Sequence, residues 1–137
     1  MGDAPCQTGQ TCKESQKKCL EVKKRPGRIV LNAIKQPRFT DKKSRWLIVQ
    51  TAEGTNFNQA KSRIILKGPD ETAAGVTIDS IKKTLKFNIG FGGFILVPTV
   101  IHKSATAGRW SVEITTEIEG SNPYEEMIAA EFQIKRN

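Results

Sequence analysis

Polar and apolar residues alternate with the two-residue period of a β-strand over most of this chain. Trp110, Val112, Ile114, Thr116 and Ile118 oppose Ser111, Glu113, Thr115, Glu117 and Glu119. Further on, Ile128, Ala130, Phe132 and Ile134 oppose Ala129, Glu131, Gln133 and Lys135. Successive side chains of a strand point to opposite faces, so both stretches predict half-buried antiparallel strands. Shorter runs of similar character are RIVLNAI, RWLIVQT, SRIILK, VTIDSI, TLKFNI and GGFILVPTVI, separated by polar, turn-rich bridges. The final segment carries a competing signal. In SNPYEEM, Asn122 suits an N-cap, Pro123 a first helical position and the two glutamates a first turn, yet the strict alternation through Ile134 favours a strand.

About seven or eight short strands, with turn signals about every ten residues, predict an all-β domain. The expected architecture is an antiparallel β-sandwich, immunoglobulin-like or jelly-roll, over residues 28–137. Residues 1–27 read differently, as a basic N-terminal arm. Thr11 and Glu14 fit a capping box, and CKESQKKCLEVKK, residues 12–24, predicts about three helical turns with a thin apolar stripe. Pro26 and Gly27 would end that helix. A length of 137 residues fits one domain with a tail. No apolar run approaches the ~20 residues of a membrane-spanning helix, and the N-terminus lacks the apolar stretch of a secretion signal. A soluble chain is expected, with its compartment left open.

Charge sharpens the division. The net charge is +8. Residues 1–45 hold twelve Lys or Arg against four acids, whereas residues 46–137 hold ten of each. All the surplus therefore lies in the first third, where a polyanion-binding surface is to be sought.

Several chemistries are excluded by the residues present. Cys6, Cys12 and Cys19 are too loosely spaced for a structural zinc site, and His102 is the only histidine, so no metal is expected. On a helix, Cys12 and Cys19 would be about two turns apart, too far to bridge. GFGGF at residues 90–94 lacks the third glycine of a dinucleotide fingerprint and the Lys-Ser or Lys-Thr of a phosphate loop, so it predicts a tight turn or bulge. Pro98 marks the following strand as an edge or bulged strand. His102 reads as a surface residue at a strand end, and Glu113, Glu117 and Glu119 as the solvent side of a strand. No nucleophile elbow, metalloprotease motif or spaced acid–base pair is present, so no catalytic residue, cofactor or enzymatic activity is expected.

What remains is electrostatic. Lys17, Lys18, Lys23, Lys24, Arg25 and Arg28, continued by Arg38, Lys42, Lys43 and Arg45, make a row of phosphate donors expected to bind nucleic acid or another polyanion without regard to sequence. Phe39 and Trp46 are the aromatics near it, and Trp46, opening an alternating strand, is expected in the core. A cationic arm on a β domain resembles the layout of small viral coat proteins. That resemblance implies a non-enzymatic protein whose arm contacts nucleic acid and whose β domain contacts other copies of itself. The alternative is a secreted or periplasmic-type sandwich that holds a protein partner or an apolar ligand.

Overall fold

The two sharpest alternating segments pair with each other. In the computed structural model, which describes residues 10–13, 18–90 and 92–137, they form β9 (Gly108–Ile118) and β10 (Tyr124–Lys135). Their antiparallel ladder runs without a break from Tyr124↔Ile118 to Ile134↔Gly108. Val112, Ile114, Ile128, Ala130, Phe132 and Ile134 all point inward and are buried. Trp110 lies opposite Phe132, with ring centroids 6.5 Å apart, and its Nε1–H donates to the Thr106 carbonyl at 2.8 Å. The helical alternative for the last segment does not form.

Eight further strands complete the fold: β1 (Gln10–Lys13), β2 (Lys18–Ile29), β3 (Ala33–Lys35), β4 (Lys42–Thr51), β5 (Ser62–Lys67), β6 (Val76–Ile78), β7 (Leu85–Ile89) and β8 (Gly92–His102). Single 3-10 turns occupy Gln59–Lys61 and Ile81–Lys83. The protein is all-β, as expected, but the antiparallel sandwich of seven or eight strands gives way to a continuous mixed sheet of ten. Its path is β5-β9-β10-β2-β4-β8-β6, with β1 on β2, β3 on β10 and β7 on β8. The strands at its two ends, β5 and β6, come into contact, so the sheet curls nearly into a barrel. Two pairings are parallel: β10 with β2, then β10 with β3 further along the same edge.

The expected helix over residues 12–24 is not found among the described residues of that stretch, which are extended in β1 and β2. Extended pairing is favoured because β2 bridges β10 and β4, giving its backbone ladder partners first on β10 over Val22–Pro26 and then on β4 over Gly27–Ile29. Pro26 and Gly27, read as a helix stop, instead mark where β2 leaves β10 and joins β4. Proline has no N–H to leave unpaired there. Glycine admits the close approach, since a Cβ at Gly27 would lie 2.6 Å from Ile128 Cγ2. Cys12 and Cys19, placed two turns apart by the helix reading, are backbone register partners in the β1–β2 hairpin.

Pro98 also sits differently from expectation, because β8 is interior to the sheet, between β4 and β6. The Pro98 carbonyl accepts from Asp79 N–H at 2.8 Å, on the side where β6 and β7 lie. The proline nitrogen turns to that same side. There β7 ends its pairing at Leu96 and β6 begins at Thr99, so no ladder bond is lost.

The turn predicted at GFGGF is seen at its described residues. Gly90, at φ 57°, falls between the paired residues Ile89 and Gly92 of the β7–β8 hairpin. Gly93 serves close approach, since a Cβ there would stand 2.9 Å from Thr55 N and 3.0 Å from Thr51 Oγ1. Gly93→Ala is therefore expected to cost about 1–3 kcal/mol by overpacking, read as a lowered urea midpoint. An unchanged midpoint would contradict this packing.

Candidate functional site

The basic row named from the sequence is not one surface. β2 runs parallel to β10, with Lys23 beside Glu126 and Lys24 beside Met127, while β3 meets β10 at Ile134 and Lys135. Eight strand residues separate Met127 from Lys135, a span of about 26 Å at about 3.3 Å per residue. Lys23 and Lys24 thus stand near one end of the barrel, and Arg38, Lys42, Lys43 and Arg45 belong to the other. Lys17 lies outside the described residues, as does the side chain of Lys18.

At the first end, Arg25 is engaged within the fold. Its guanidinium donates to the Gly54 carbonyl at 2.7 Å and to Glu126 Oε2 at 3.4 Å, with Glu53 Oε2 at 3.9 Å. Only 16% of its side chain is exposed. Its charge is balanced internally, and it closes the barrel end by joining β2 to β10 and to the loop after β4. Lys23 lies over the Tyr124 ring, 4.2 Å from the centroid, and Lys24 is exposed.

The second end gathers cations that sequence order scatters. Lys42 pairs with His102 across β4–β8, and Lys103 N–H donates to the Asp41 carbonyl. Lys35 and Lys135 are register partners, and Gln36 links this corner to the loop after β8 through Ala105. Lys35, Lys103, Lys135 and Arg136 therefore join Arg38, Lys42, Lys43 and Arg45, with Asp41 the only acid between Lys35 and Arg45. All eight of these cations are exposed. None of them takes part in an ion pair among the described residues. Charge counting along the chain missed the C-terminal members because residues 46–137 hold as many acids as cations in number.

The two outward sheet faces differ in kind. On β5, β9 and β10, cross-strand pairs neutralise one another: Lys67 with Glu113 and Arg109 with Glu131 at 3.8 Å, while the half-exposed Arg63 reaches the buried Glu125 at 3.0 Å. Along the middle of β4, β8 and β7 the outward residues are apolar or aromatic, with Lys42, Ser44, Gln50 and His102 toward the ends. Trp46 adjoins Pro98, Ile48 adjoins Leu96 and then Leu85, and Phe94 adjoins Phe87. Trp46, Leu85 and Phe87 are 49%, 46% and 47% exposed. The expected core position of Trp46 is thereby corrected. Leu47 and Val49 take the inward phase of β4, which turns Trp46 and Ile48 out. Arg28 stands at one end of this face, its Nε–H donating to Gln50 Oε1 at 2.9 Å, and Lys42 with His102 at the other.

Among the described residues, no group of three or more His, Cys, Asp or Glu side chains converges as metal ligands, and no helix is long and apolar enough to cross a membrane. Comparison with protein-family models, characterised proteins and solved structures found no significant match to this chain.

Proposed function

We propose that this is a non-enzymatic binding protein whose basic barrel end grips the phosphates of nucleic acid without reading sequence. The supporting observation is the exposed cluster of Lys35, Arg38, Lys42, Lys43, Arg45, Lys103, Lys135 and Arg136, eight cations that outnumber Asp41 and the neighbouring loop's Asp70 and Glu71 at this end. Cations in that density release condensed counterions when they meet phosphates, which gives affinity that falls steeply with salt. Of the cations named from sequence, Arg38, Lys42, Lys43 and Arg45 belong to this cluster, and Arg28 lies on the adjoining sheet face. Lys23 and Lys24 stand apart, and Arg25 serves the fold.

Deleting residues 1–28 would remove β2 from between β10 and β4, so charge substitution is the clean test. For the triple variant Lys42→Glu, Lys43→Glu, Arg45→Glu, the slope of log affinity against log salt for an oligonucleotide is expected to become shallower by about two units, at about 0.7 for each phosphate that is no longer neutralised. Lys67→Gln, on the ion-paired face, is expected to leave that slope unchanged. Salt-independent binding, or equal slopes for wild type and triple variant, overturns the proposal.

Self-assembly of a coat-like kind draws on the apolar face of β4, β8 and β7 alone. The secreted alternative draws on one observation, the register of Cys12 with Cys19. Directly opposed antiparallel residues have Cα atoms about 4.5–5.5 Å apart, within the span of a disulfide. A ligand held between sheets finds the interior occupied by Val49, Ile95, Val97 and Ile114, each at most 1% exposed.

A further inference from the structure

We infer that the outward face of β4, β8 and β7 takes unpaired bases, which makes single-stranded nucleic acid the ligand class; this rests on the phosphate-binding reading above. Trp46, Phe94 and Phe87 open outward on one curved sheet, with Pro98, Leu96 and Leu85 filling the spaces between them. Every base has a flat π-face, so an aromatic platform binds bases in tandem and tolerates any sequence. A duplex hides those faces in its own stack and offers only groove edges and phosphates.

Charge selects the occupant. Strands β4, β7 and β8 contain no Asp or Glu, whereas β9 and β10 carry Glu113, Glu117, Glu125, Glu126 and Glu131. The platform is bounded by Arg28 at one end and by Lys42 and His102 at the other. Lys42 also belongs to the basic barrel end, so a strand anchored there by its phosphates is led straight onto the rings. From Lys42 to Gln50 the face spans about 27 Å, room for several nucleotides and in keeping with the roughly 4–16 that β-barrel single-strand sites hold. A second copy of the chain is a poorer occupant. A two-fold contact through this face would set the same cations of both copies against each other with no carboxylate on these strands to offset them.

The test compares three probes in one buffer: oligothymidylate of about twelve nucleotides, a duplex of the same length, and heparin. Wild type is expected to bind the single strand at least about tenfold more tightly than the duplex. Trp46→Ala is expected to weaken single-strand binding about ten- to a hundredfold and leave heparin binding unchanged. Trp46→Phe, which keeps a ring, is expected to restore most of the loss. Tryptophan emission gives an independent signal, because Trp46 is half exposed and Trp110 is 3% exposed. Bound bases are expected to quench wild type and leave Trp46→Phe unquenched.

Equal affinity for single strand and duplex, or single-strand binding indifferent to Trp46→Ala, overturns the inference. If the triple charge variant still flattens the salt slope in that case, the phosphate-binding reading stands without it. Failure to bind any of the three probes removes both. A dimer that Trp46→Ala converts to monomer, with oligonucleotide affinity unchanged, gives the face to a second copy and also overturns the inference.

Discussion

Trp110→Ala is expected to destabilise the protein by about 3–5 kcal/mol, the range for removing a fully buried aromatic. Trp110 is 3% exposed, packs on Phe132 across the β9–β10 ladder and lies close enough to Gly68 that a Cβ there would meet its ring at 3.3 Å. It thus ties the long hairpin to the loop after β5. The substitution removes that buried area and also leaves the Thr106 carbonyl without its indole donor. Against a typical total stability of about 5–15 kcal/mol, such a loss is visible as a large drop in the denaturation midpoint by circular dichroism. A change below about 1 kcal/mol would mean that the ring is not held between β10 and the Gly68 loop.

The second large effect belongs to Arg25. Arg25→Ala is expected to cost about 2–4 kcal/mol, somewhat below the value for a wholly buried pair because a fraction of each partner still meets solvent. Exposure is 16% for the Arg25 side chain and 13% for Glu126. The variant leaves Glu126 with the Asn56 amide as its described donor, and it leaves the Gly54 carbonyl without the guanidinium. The double variant Arg25→Met, Glu126→Leu is expected to lose less than the single one, since no charge then stays behind. If the single substitution proves as mild as the double, the clamp contributes nothing to closing this barrel end. Because its charge is already balanced, Arg25→Ala should also leave the salt dependence of binding unchanged where the β4 cations do not.

Strand alternation made β9 and β10 legible residue by residue, because each has one apolar and one polar face. β8 was legible as a strand but not in its placement. FILVPTVI is apolar on both phases, the pattern of a strand covered on both sides, yet only the Ile95, Val97, Thr99 and Ile101 phase faces the core. On the opposite phase Phe94, Leu96 and Val100 are only half-buried, and this surplus of apolar residues was the available sign of the face proposed for binding. β4 hid Trp46 for the same reason: Trp46 and Ile48 alternate with Leu47 and Val49, and nothing local says which pair is inside. The N-terminal strand was misread because Cys12, Cys19 and Leu20 make a stripe compatible with a helix. Its true partner, β10, lies at the far end of the chain, and parallel pairing leaves no local turn signal. The charge surplus of residues 1–45 was plain, but its division between two barrel ends follows from that same distant pairing.

Site-resolved NMR during titration with unlabelled oligothymidylate tests the central claim most directly. Shifts concentrated on the outward residues of β4, β7 and β8, with the Trp46 indole among the largest, and on the Lys35–Lys135 corner are the predicted result. Shifts confined to the ion-paired face of β5, β9 and β10, or no shifts at saturating oligonucleotide, would contradict it.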